Sequence, residues 1–286
     1  MVTLLNIMKK ILIFGGSGFI GKNLEKYLLQ KGYDVKTTSR TPIRSQLFCD
    51  FLNPVCNLKE FEGFDVWINL AGETISGFRW TKKKKQKILA SRINSNMFIR
   101  SLAEKLHNPP KQIMIAGGVG YYPENSIQVL NENSDRGIGF LSLVEQKLED
   151  VWSESKIPHS IMRIAPVLDS SGGILKKITA SWKYFIGFYF GNADAYFPFI
   201  YLEDFLRAIE FLILKNAEGV FNLCNKIPLT QKQVFSNLKK DKTVFFLTVP
   251  SLLIRLILGK MAEETLLVNQ KVVPEKLLKM GFVFKF

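Results

Sequence analysis

The stretch "KKILIFGGSGFIGKNLEKYLLQKGYDVKTTSR" at residues 9–40 decides the fold. It contains a short apolar strand, a turn with three spaced glycines, an amphipathic helix and a second strand. The glycines have the spacing G-x-x-G-x-x-G and stand between the first strand and the helix. A βαβ unit with such a turn is typical of folds that bind a dinucleotide at the N-terminus of the helix.

The shape of a dinucleotide explains each glycine in this turn. A tight strand-to-helix turn needs a residue without Cβ, and a pyrophosphate must approach bare backbone N–H groups at the positive end of the helix dipole. The third glycine lets the helix pack closely on its strand. The residues expected to contact the cofactor here are Gly15, Gly18, Phe19, Ile20 and Gly21. A glycine turn without a ligand is the alternative interpretation.

Beyond this unit, β-branched runs alternate with helical patterns through the first half of the chain. We expect strands at residues 10–14, 34–38, 46–50, 66–70, 112–116 and 159–163, and helices at 18–31, 82–106, 140–154 and 202–214. The alternation predicts an α/β fold, a Rossmann-type doubly wound parallel sheet with a smaller C-terminal substrate or lid domain. The Rossmann domain is predicted at residues 8–165, completed by about 200–225, and the lid domain at 166–199 and 226–286.

The end of the second strand indicates which dinucleotide is bound. Folds that bind NAD commonly place an acidic residue there for the ribose 2′-hydroxyl, whereas this chain has Ser39 and Arg40. A guanidinium offers a forked set of donors to a 2′-phosphate, so the sequence predicts NADP in preference to NAD. An exposed arginine in a basic protein is the alternative.

The next two strands supply the remaining cofactor residues. Asp50 and Phe51 stand at the end of the third strand, where a side chain can meet the adenine. Leu70, Ala71 and Gly72 end the fourth strand and are small enough to let the second ribose lie against the backbone.

Composition narrows the remaining function classes. The formal charge of +14 would suit nucleic acid, a membrane surface or an anionic ligand. The dense run "TKKKKQK" at residues 81–87 opens a predicted helix without any recognition-module signature, so a solvated helix face is favoured and no nucleic-acid partner is expected. Three cysteines and two histidines lack the spacing of a disulfide framework or a metal site, which indicates a reducing cytoplasm and no metal.

The two ends of the chain carry apolar segments that need another explanation. Residues 1–7 lack the basic region and cleavage site of a signal peptide, and translation could begin at Met1 or at Met8. The stretch "TVFFLTVPSLLIRLILG" at residues 243–259 is interrupted by Pro250 and Arg255 and is too short for a membrane span. It predicts a core strand followed by a packed helix.

Longer motifs carry a family resemblance. The glycine spacing, Arg40 and "NLAG" resemble the extended and atypical short-chain dehydrogenase/reductase superfamily. The segments "NLAGETISGFRWTKKKKQKILASRI" (69–93), "FIYLEDF" (199–205) and "QKVVPEKLLKMGFVF" (270–284) resemble its epimerase family protein branch, which adds a small C-terminal domain of its own. The resemblance implies a nicotinamide cofactor and contacts from Ser39, Arg40, Leu70, Ala71 and Arg92. Arg92 could equally be a polar-face arginine of its helix.

The resemblance also implies a catalytic set that this chain lacks. Enzymes of the superfamily use a Ser or Thr after the fifth strand and a Tyr followed four residues later by a Lys, which lowers the pKa of the phenol. Here Gly117 and Gly118 fall at the serine position, Leu141 at the tyrosine and Glu145 at the lysine. The catalytic residues are therefore not predicted.

Tyr121 and Tyr122 are the weak candidates for a substitute catalytic group, and the alternative is that both only pack at a strand end. Two functions stay open. One is an NADP-dependent oxidoreductase or epimerase acting on a small carbonyl or sugar-like substrate. The other is a non-catalytic protein that senses NADP(H) or its redox state. The substrate and the oligomeric state are not predicted.

Overall fold

The structure is a computed structural model that describes residues 8–40, 46–51, 56–239 and 242–286. Its strands are β1 (Lys10–Phe14), β2 (Asp34–Ser39), β3 (Leu47–Phe48), β4 (Val66–Asn69), β5 (Gln112–Gly118), β6 (Asn125–Leu130), β7 (His159–Ile164), β8 (Val167–Asp169), β9 (Ile186–Phe190), β10 (Ile200–Tyr201), β11 (Gly219–Leu223), β12 (Phe245–Val249) and β13 (Asn269–Val272). Its α-helices are α1 (Phe19–Gln30), α2 (Lys82–Glu104), α3 (Phe140–Trp152), α4 (Gly173–Ile178), α5 (Leu202–Leu214), α6 (Gln231–Lys239), α7 (Ser251–Leu258), α8 (Lys260–Thr265) and α9 (Glu275–Lys279). Short 3₁₀ helices span Leu58–Phe61, Val119–Tyr121 and Thr179–Tyr184.

Seven strands form one parallel sheet in the order β3-β2-β1-β4-β5-β7-β11. The chain winds outward from β1 in one direction to β3 and then in the other direction from β4. The direction therefore reverses between β1 and β4, and such a switch point opens a crevice at the carboxyl ends of the strands. The predicted doubly wound parallel sheet is confirmed.

Alternating side chains bury both faces of this sheet. In β1, Ile11 and Ile13 belong to a core shared with α1 and α5, while Leu12 and Phe14 belong to a second core shared with α2 and α3. Successive strand residues point to opposite faces, so a strand covered on both sides must be apolar throughout. All four of these residues are completely buried.

Most predicted elements agree with the structure to within two residues, and the differences lie at their ends. The edge strand β3 is shorter than predicted, and β5 continues two residues further, to Gly118. The seventh strand, β11, was not among the predicted strands. It pairs in parallel with β7 along its whole length.

A smaller group of elements packs around a separate apolar cluster. Its members include Trp182, Phe199 and Phe235, and β9 pairs in parallel with β12 beside them. The C-terminal tail behaves differently, because Phe282 and Phe284 lie in the core that covers the main sheet. The predicted division of the chain into a Rossmann and a lid domain stays a prediction.

The prediction for residues 243–259 is wrong in one respect. The segment forms the strand β12 and the helix α7, but most of its apolar side chains face outward: Phe245 is 70% exposed, Leu252 74% and Leu256 71%. In α7 only Ile254 is buried, because a short helix that is apolar on every side turns just one side toward the protein. Among the described helices, none has both the length and the apolar character needed to cross a membrane.

Candidate functional site

The turn between β1 and α1 is built so closely that two of its glycines are required by the fold itself. Gly15 has a φ of +81°, and a Cβ there would stand 2.9 Å from the backbone nitrogen of Ala71. A Cβ at Gly21 would stand 2.5 Å from the carbonyl oxygen of Gly15. Real Cβ atoms do not approach backbone atoms so closely, so a larger residue at either position would displace main chain.

Gly18 is different, because nothing in the described protein requires it to be glycine. Its φ is −72°, and a Cβ there would meet only the carbonyl oxygen of Gly15, at an ordinary 3.5 Å. The residue caps α1 without any capping side chain, and the first turn of α1 contains no acidic residue. A bare, uncompensated helix N-terminus fits the pyrophosphate of a dinucleotide, and a side chain at Gly18 would occupy that space.

The next two residues of α1 turn their side chains to the protein. Ile20 packs on the core shared with α1 and α5, and so does the Phe19 ring. A Cβ at Gly172 would lie 2.5 Å from the Phe19 ring, which shows how closely the segment before α4 crosses it. The predicted contacts of Phe19 and Ile20 with a cofactor would therefore be made mainly by their backbone N–H groups.

The end of β2 carries the residues expected to distinguish the two dinucleotides. Ser39 is half-buried, and its carbonyl accepts the N–H of Cys49 at 2.9 Å. Arg40 follows it and is exposed. The pKa of Glu73 is lowered, first by its hydrogen bond with Lys84 and further by the positive charge of Arg40. The charge of Arg40 thus acts on the loop that follows β4.

The residues after β3 pack in part against the second core. The ring of Phe51 lies 6.2 Å from Phe14 and 5.7 Å from Phe98, measured between centroids. Asp50 beside it is half-buried. One side of the Phe51 ring is thus engaged by the protein.

The loop after β4 is held by a network of hydrogen bonds. The side chain of Asn69 accepts the N–H of Ala71 at 3.0 Å and donates to Asn96 at 3.1 Å. Arg92 Nη1 donates to the carbonyl of Glu73 at 3.0 Å. These bonds fix the path of Leu70, Ala71 and Gly72 across the carboxyl end of the sheet, beside the glycine turn.

The same network defines the surroundings of Arg92. A Cβ at Gly72 would lie 3.6 Å from its guanidinium carbon, so the arginine covers this glycine. Arg92 therefore holds the loop after β4, and the expected cofactor contact would be additional to that role.

At the end of β5, a carboxylate replaces the expected hydroxyl. Oε2 of Glu145 accepts the N–H of Gly118 at 2.9 Å, and a Cβ at Gly117 would lie 2.9 Å from the same oxygen. The helix α3 thus brings Glu145, which the sequence comparison aligned with the superfamily lysine, to the end of β5. Burial raises the pKa of Glu145 to about 7, against the opposing effects of the Arg92 charge and the Gly118 N–H.

The two candidate tyrosines lie in a buried cluster centred on Arg163. The guanidinium lies 3.4 Å from the ring centroid of Tyr121 and donates to both carboxylate oxygens of Glu149, at 2.8 and 3.0 Å. Tyr122 donates to Asn222 at 2.7 Å and accepts from Arg163 at 3.0 Å. Burial raises the pKa of Tyr122 to about 12, so its phenol stays protonated at neutral pH.

Other features lie outside this crevice. The basic run at the start of α2 is mostly exposed, with Lys84 paired to Glu73 at 2.6 Å. No group of three His, Cys, Asp or Glu residues among those described could hold a metal ion. A cavity of about 850 Å³ lies between α4, α6 and the chain terminus, and its lining includes none of the residues predicted to bind the cofactor.

Sequence reasoning missed several residues that shape the crevice. Asn69, Asn96 and Ser91 hold the loop after β4, and Ser91 Oγ accepts the N–H of Glu73 at 2.9 Å. Polar residues on the buried side of α2 were the available signal, because such side chains need partners inside the protein. Glu145 was recognised only as a residue that cannot replace lysine.

Known protein families and a curated relative match most of this chain. Residues 11–137 match the model of the NAD dependent epimerase/dehydratase family, and residues 249–286 match a domain of unknown function (DUF1731). An epimerase family protein of Staphylococcus aureus (strain N315) is 31% identical over 98% of this chain and 96% of its own length.

Solved structures share the same architecture. Human epimerase family protein SDR39U1 (isoform 2), whose crystal structure was determined with NADPH, is 25% identical with a TM-score of 0.85, over 97% of this chain and 95% of that one. A nucleoside-diphosphate sugar epimerase from Corynebacterium glutamicum is 22% identical with a TM-score of 0.78, over 98% of this chain and 56% of that one. At this lower identity the similarity shows the fold alone.

Proposed function

Because the chain belongs to the epimerase family proteins, an NAD(P)-binding family of short-chain dehydrogenase/reductase-like fold, we propose that it binds NADP(H) and works as an oxidoreductase or epimerase. Its substrate would be a small carbonyl or sugar-like molecule. The observation that carries the proposal is the bare N-terminus of α1 at Gly18, where the fold leaves room for a pyrophosphate. When bound, the cofactor supplies hydride transfer at its nicotinamide ring.

The preference for NADP rests on Arg40. The residue is exposed at the end of β2, where a 2′-phosphate would lie, and its charge reaches the crevice as far as Glu73. A guanidinium can bind a phosphate through two parallel hydrogen bonds. The human relative was crystallised with NADPH, which agrees with the same assignment.

Calorimetric titration of the Arg40→Glu variant with NADP⁺ and NAD⁺ tests this assignment. The new carboxylate would repel the 2′-phosphate, so affinity for NADP⁺ should fall at least tenfold, about 1.4 kcal/mol, while NAD⁺ affinity changes little. Lys36→Glu is the matched control, because Lys36 is exposed on the same strand, away from its carboxyl end. An unchanged ratio of the two affinities in Arg40→Glu would overturn the NADP assignment. Failure of wild type to bind either nucleotide would overturn the cofactor proposal.

A second candidate function, a non-catalytic sensor of NADP(H), is favoured by one observation. The positions of the superfamily Ser, Tyr and Lys carry Gly117, Leu141 and Glu145, and the Leu141 side chain packs against Gly120. A sensor would need different affinities for the oxidised and reduced cofactor. Parallel titration with NADP⁺ and NADPH separates the candidates, because similar affinities suit an enzyme that cycles between both forms.

We propose that the protein works in a reducing cytoplasm, because its cysteines form no disulfide in the part of the chain that the structure describes. All three cysteines, Cys49, Cys56 and Cys224, are free. Burial raises the pKa of Cys49 to about 12, so this thiol stays protonated and inert at neutral pH. Labelling of unfolded protein with a thiol reagent should report three reactive groups without prior reduction.

A further inference from the structure

A buried carboxyl at the end of β5 has no role in the function proposed above. Glu145 lies on α3 and reaches the end of β5, where it accepts a hydrogen bond from the N–H of Gly118. Gly117 and Gly118 leave space for the carboxylate, because a Cβ at either glycine would lie within 3.3 Å of one of its oxygens. A serine at Gly117 would have to displace the carboxylate, and one at Gly118 would press against it.

The sheet topology places this carboxyl on one particular half of a bound dinucleotide. In a doubly wound sheet the cofactor lies across the switch point, here between β1 and β4. If Arg40 at the end of β2 holds the adenosine half, the nicotinamide half would lie toward the ends of β4 and β5. Glu145 lies at the end of β5, and the charge of Arg92 on α2, the residue that covers Gly72 in the loop after β4, acts on it.

The charges that face Glu145 come from three elements. Arg92 on α2 and Arg163 on β7 are positive and favour the ionised carboxylate, while Glu149 on α3 opposes it. Arg163 is already paired with Glu149 through two hydrogen bonds. The balance between burial and these charges holds the pKa of Glu145 near neutrality. One further positive charge nearby would therefore change its protonation at physiological pH.

We propose that Glu145 exchanges a proton as the cofactor changes redox state, being ionised beside the oxidised nicotinamide ring and protonated beside the reduced one. The inference rests on the proposed function. The oxidised ring carries a positive charge that the reduced ring lacks, so only the oxidised form favours a neighbouring carboxylate. When an alcohol is oxidised, its carbon loses a hydride to the nicotinamide, its hydroxyl loses a proton, and Glu145 is the group that holds this proton.

Such an exchange would make the affinity for the two cofactor forms depend on pH. Because a protonated Glu145 must release its proton when NADP⁺ binds, affinity for NADP⁺ should rise with pH relative to affinity for NADPH. Each unit by which binding lowers the pKa of Glu145 is worth up to about tenfold in this ratio. A sensor and an enzyme would both use the same device, one to read the redox state and the other to take up the substrate proton.

Calorimetric titration in two buffers of different ionisation enthalpy measures the number of protons released or taken up for each cofactor bound. At pH 7 Glu145 is about half protonated without cofactor, so wild type should release about half a proton on binding NADP⁺ and take up about half a proton on binding NADPH, a difference of about one proton. Glu145→Gln preserves an acceptor for the Gly118 N–H and should abolish this difference. Asp150→Asn is the matched control, since Asp150 lies exposed on the same helix and should leave the proton count unchanged.

The outcomes separate this inference from the function on which it rests. An equal proton count in wild type and Glu145→Gln, with both nucleotides bound, would overturn the inference and leave cofactor binding intact. Binding of neither nucleotide to wild type would overturn both. Should Glu145→Gln fail to fold, infrared difference spectra of wild type with NADP⁺ and with NADPH decide, because the protonated carboxyl band should be weaker with NADP⁺. Identical carboxyl bands would refute the exchange.

Discussion

Substitution by alanine should reduce stability at Gly21 but cofactor affinity at Gly18, although the two glycines are only three residues apart. A Cβ at Gly21 would stand 2.5 Å from the carbonyl oxygen of Gly15 and 2.7 Å from the Cα of Gly16, so Gly21→Ala must displace backbone. A Cβ at Gly18 would meet a single atom at 3.5 Å, and its φ of −72° suits alanine. Gly18→Ala should therefore leave the fold intact and obstruct the cofactor.

The magnitudes follow from these contacts. Overpacking against backbone costs up to about 3 kcal/mol, which lowers Tm by roughly 5 °C for a chain of 286 residues. For Gly18→Ala, the loss of a favourable N-cap residue and the reduced entropy of the unfolded chain nearly cancel, so stability should change by about 1 kcal/mol or less. Its affinity for NADP⁺ should fall at least tenfold, about 1.4 kcal/mol, because the new methyl group occupies the space of the pyrophosphate.

Thermal unfolding and calorimetric titration of both variants provide the test. Wild-type affinity for NADP⁺ in a stable Gly18→Ala variant would show that the pyrophosphate does not lie at this helix N-terminus. A Gly21→Ala variant as stable as wild type would refute the steric argument for the turn. The two results are independent, since unfolding is measured without cofactor.

The remaining predictions concern buried groups. Because the folded-state pKa of Glu145 is raised to about 7 from an ordinary 4.5, its contribution to stability is present at low pH and is lost as pH rises toward 7. Glu145→Gln should thus be more stable than wild type at pH 8, by up to about 3 kcal/mol, and about equally stable at pH 4. Urea unfolding measures the free energy of unfolding of both proteins at each pH, and a difference that does not grow from pH 4 to pH 8 would disprove this. Glu149→Gln should cost about 3–5 kcal/mol, because it breaks the pair with Arg163, whose side chain is 4% exposed; a Tm close to that of wild type would contradict this expectation. Tyr122→Phe should lower the free energy of unfolding by about 1–3 kcal/mol, because Asn222 and Arg163 each lose a hydrogen bond to the hydroxyl. A free energy of denaturant unfolding equal to that of wild type would contradict this.

Local patterns were sufficient to predict the framework of the fold. The strand β1 is apolar throughout because both of its faces are buried, and the glycine turn that follows it has a fixed spacing. The helix α5 was predicted with its observed ends, since its apolar residues recur at helical spacing. The edge strand β3 was predicted too long, because an edge strand pairs on one side only and its ends are set by the neighbouring strand.

The sequence was a poorer guide to which side chains of the outer elements are buried. The apolar residues of β12 and α7 predicted a buried strand and helix, yet Leu252 and Leu256 face outward. Hydrophobic composition shows that a segment favours burial, but only the arrangement of its neighbours decides which side is covered. The strand β11 escaped prediction for a related reason, since its five residues acquire their role by pairing with β7.

The sequence by itself determined the doubly wound fold, the glycine turn and the position of Arg40, because these depend on short-range spacing and on residue type. Only the tertiary structure decided the protonation of Glu145 and of Tyr122. It depends on burial and on charges from α2, α3 and β7, which are separated along the chain and meet only in the folded protein. Spacing can therefore identify a residue at a catalytic position, whereas its chemistry follows from the surroundings that the fold assembles around it.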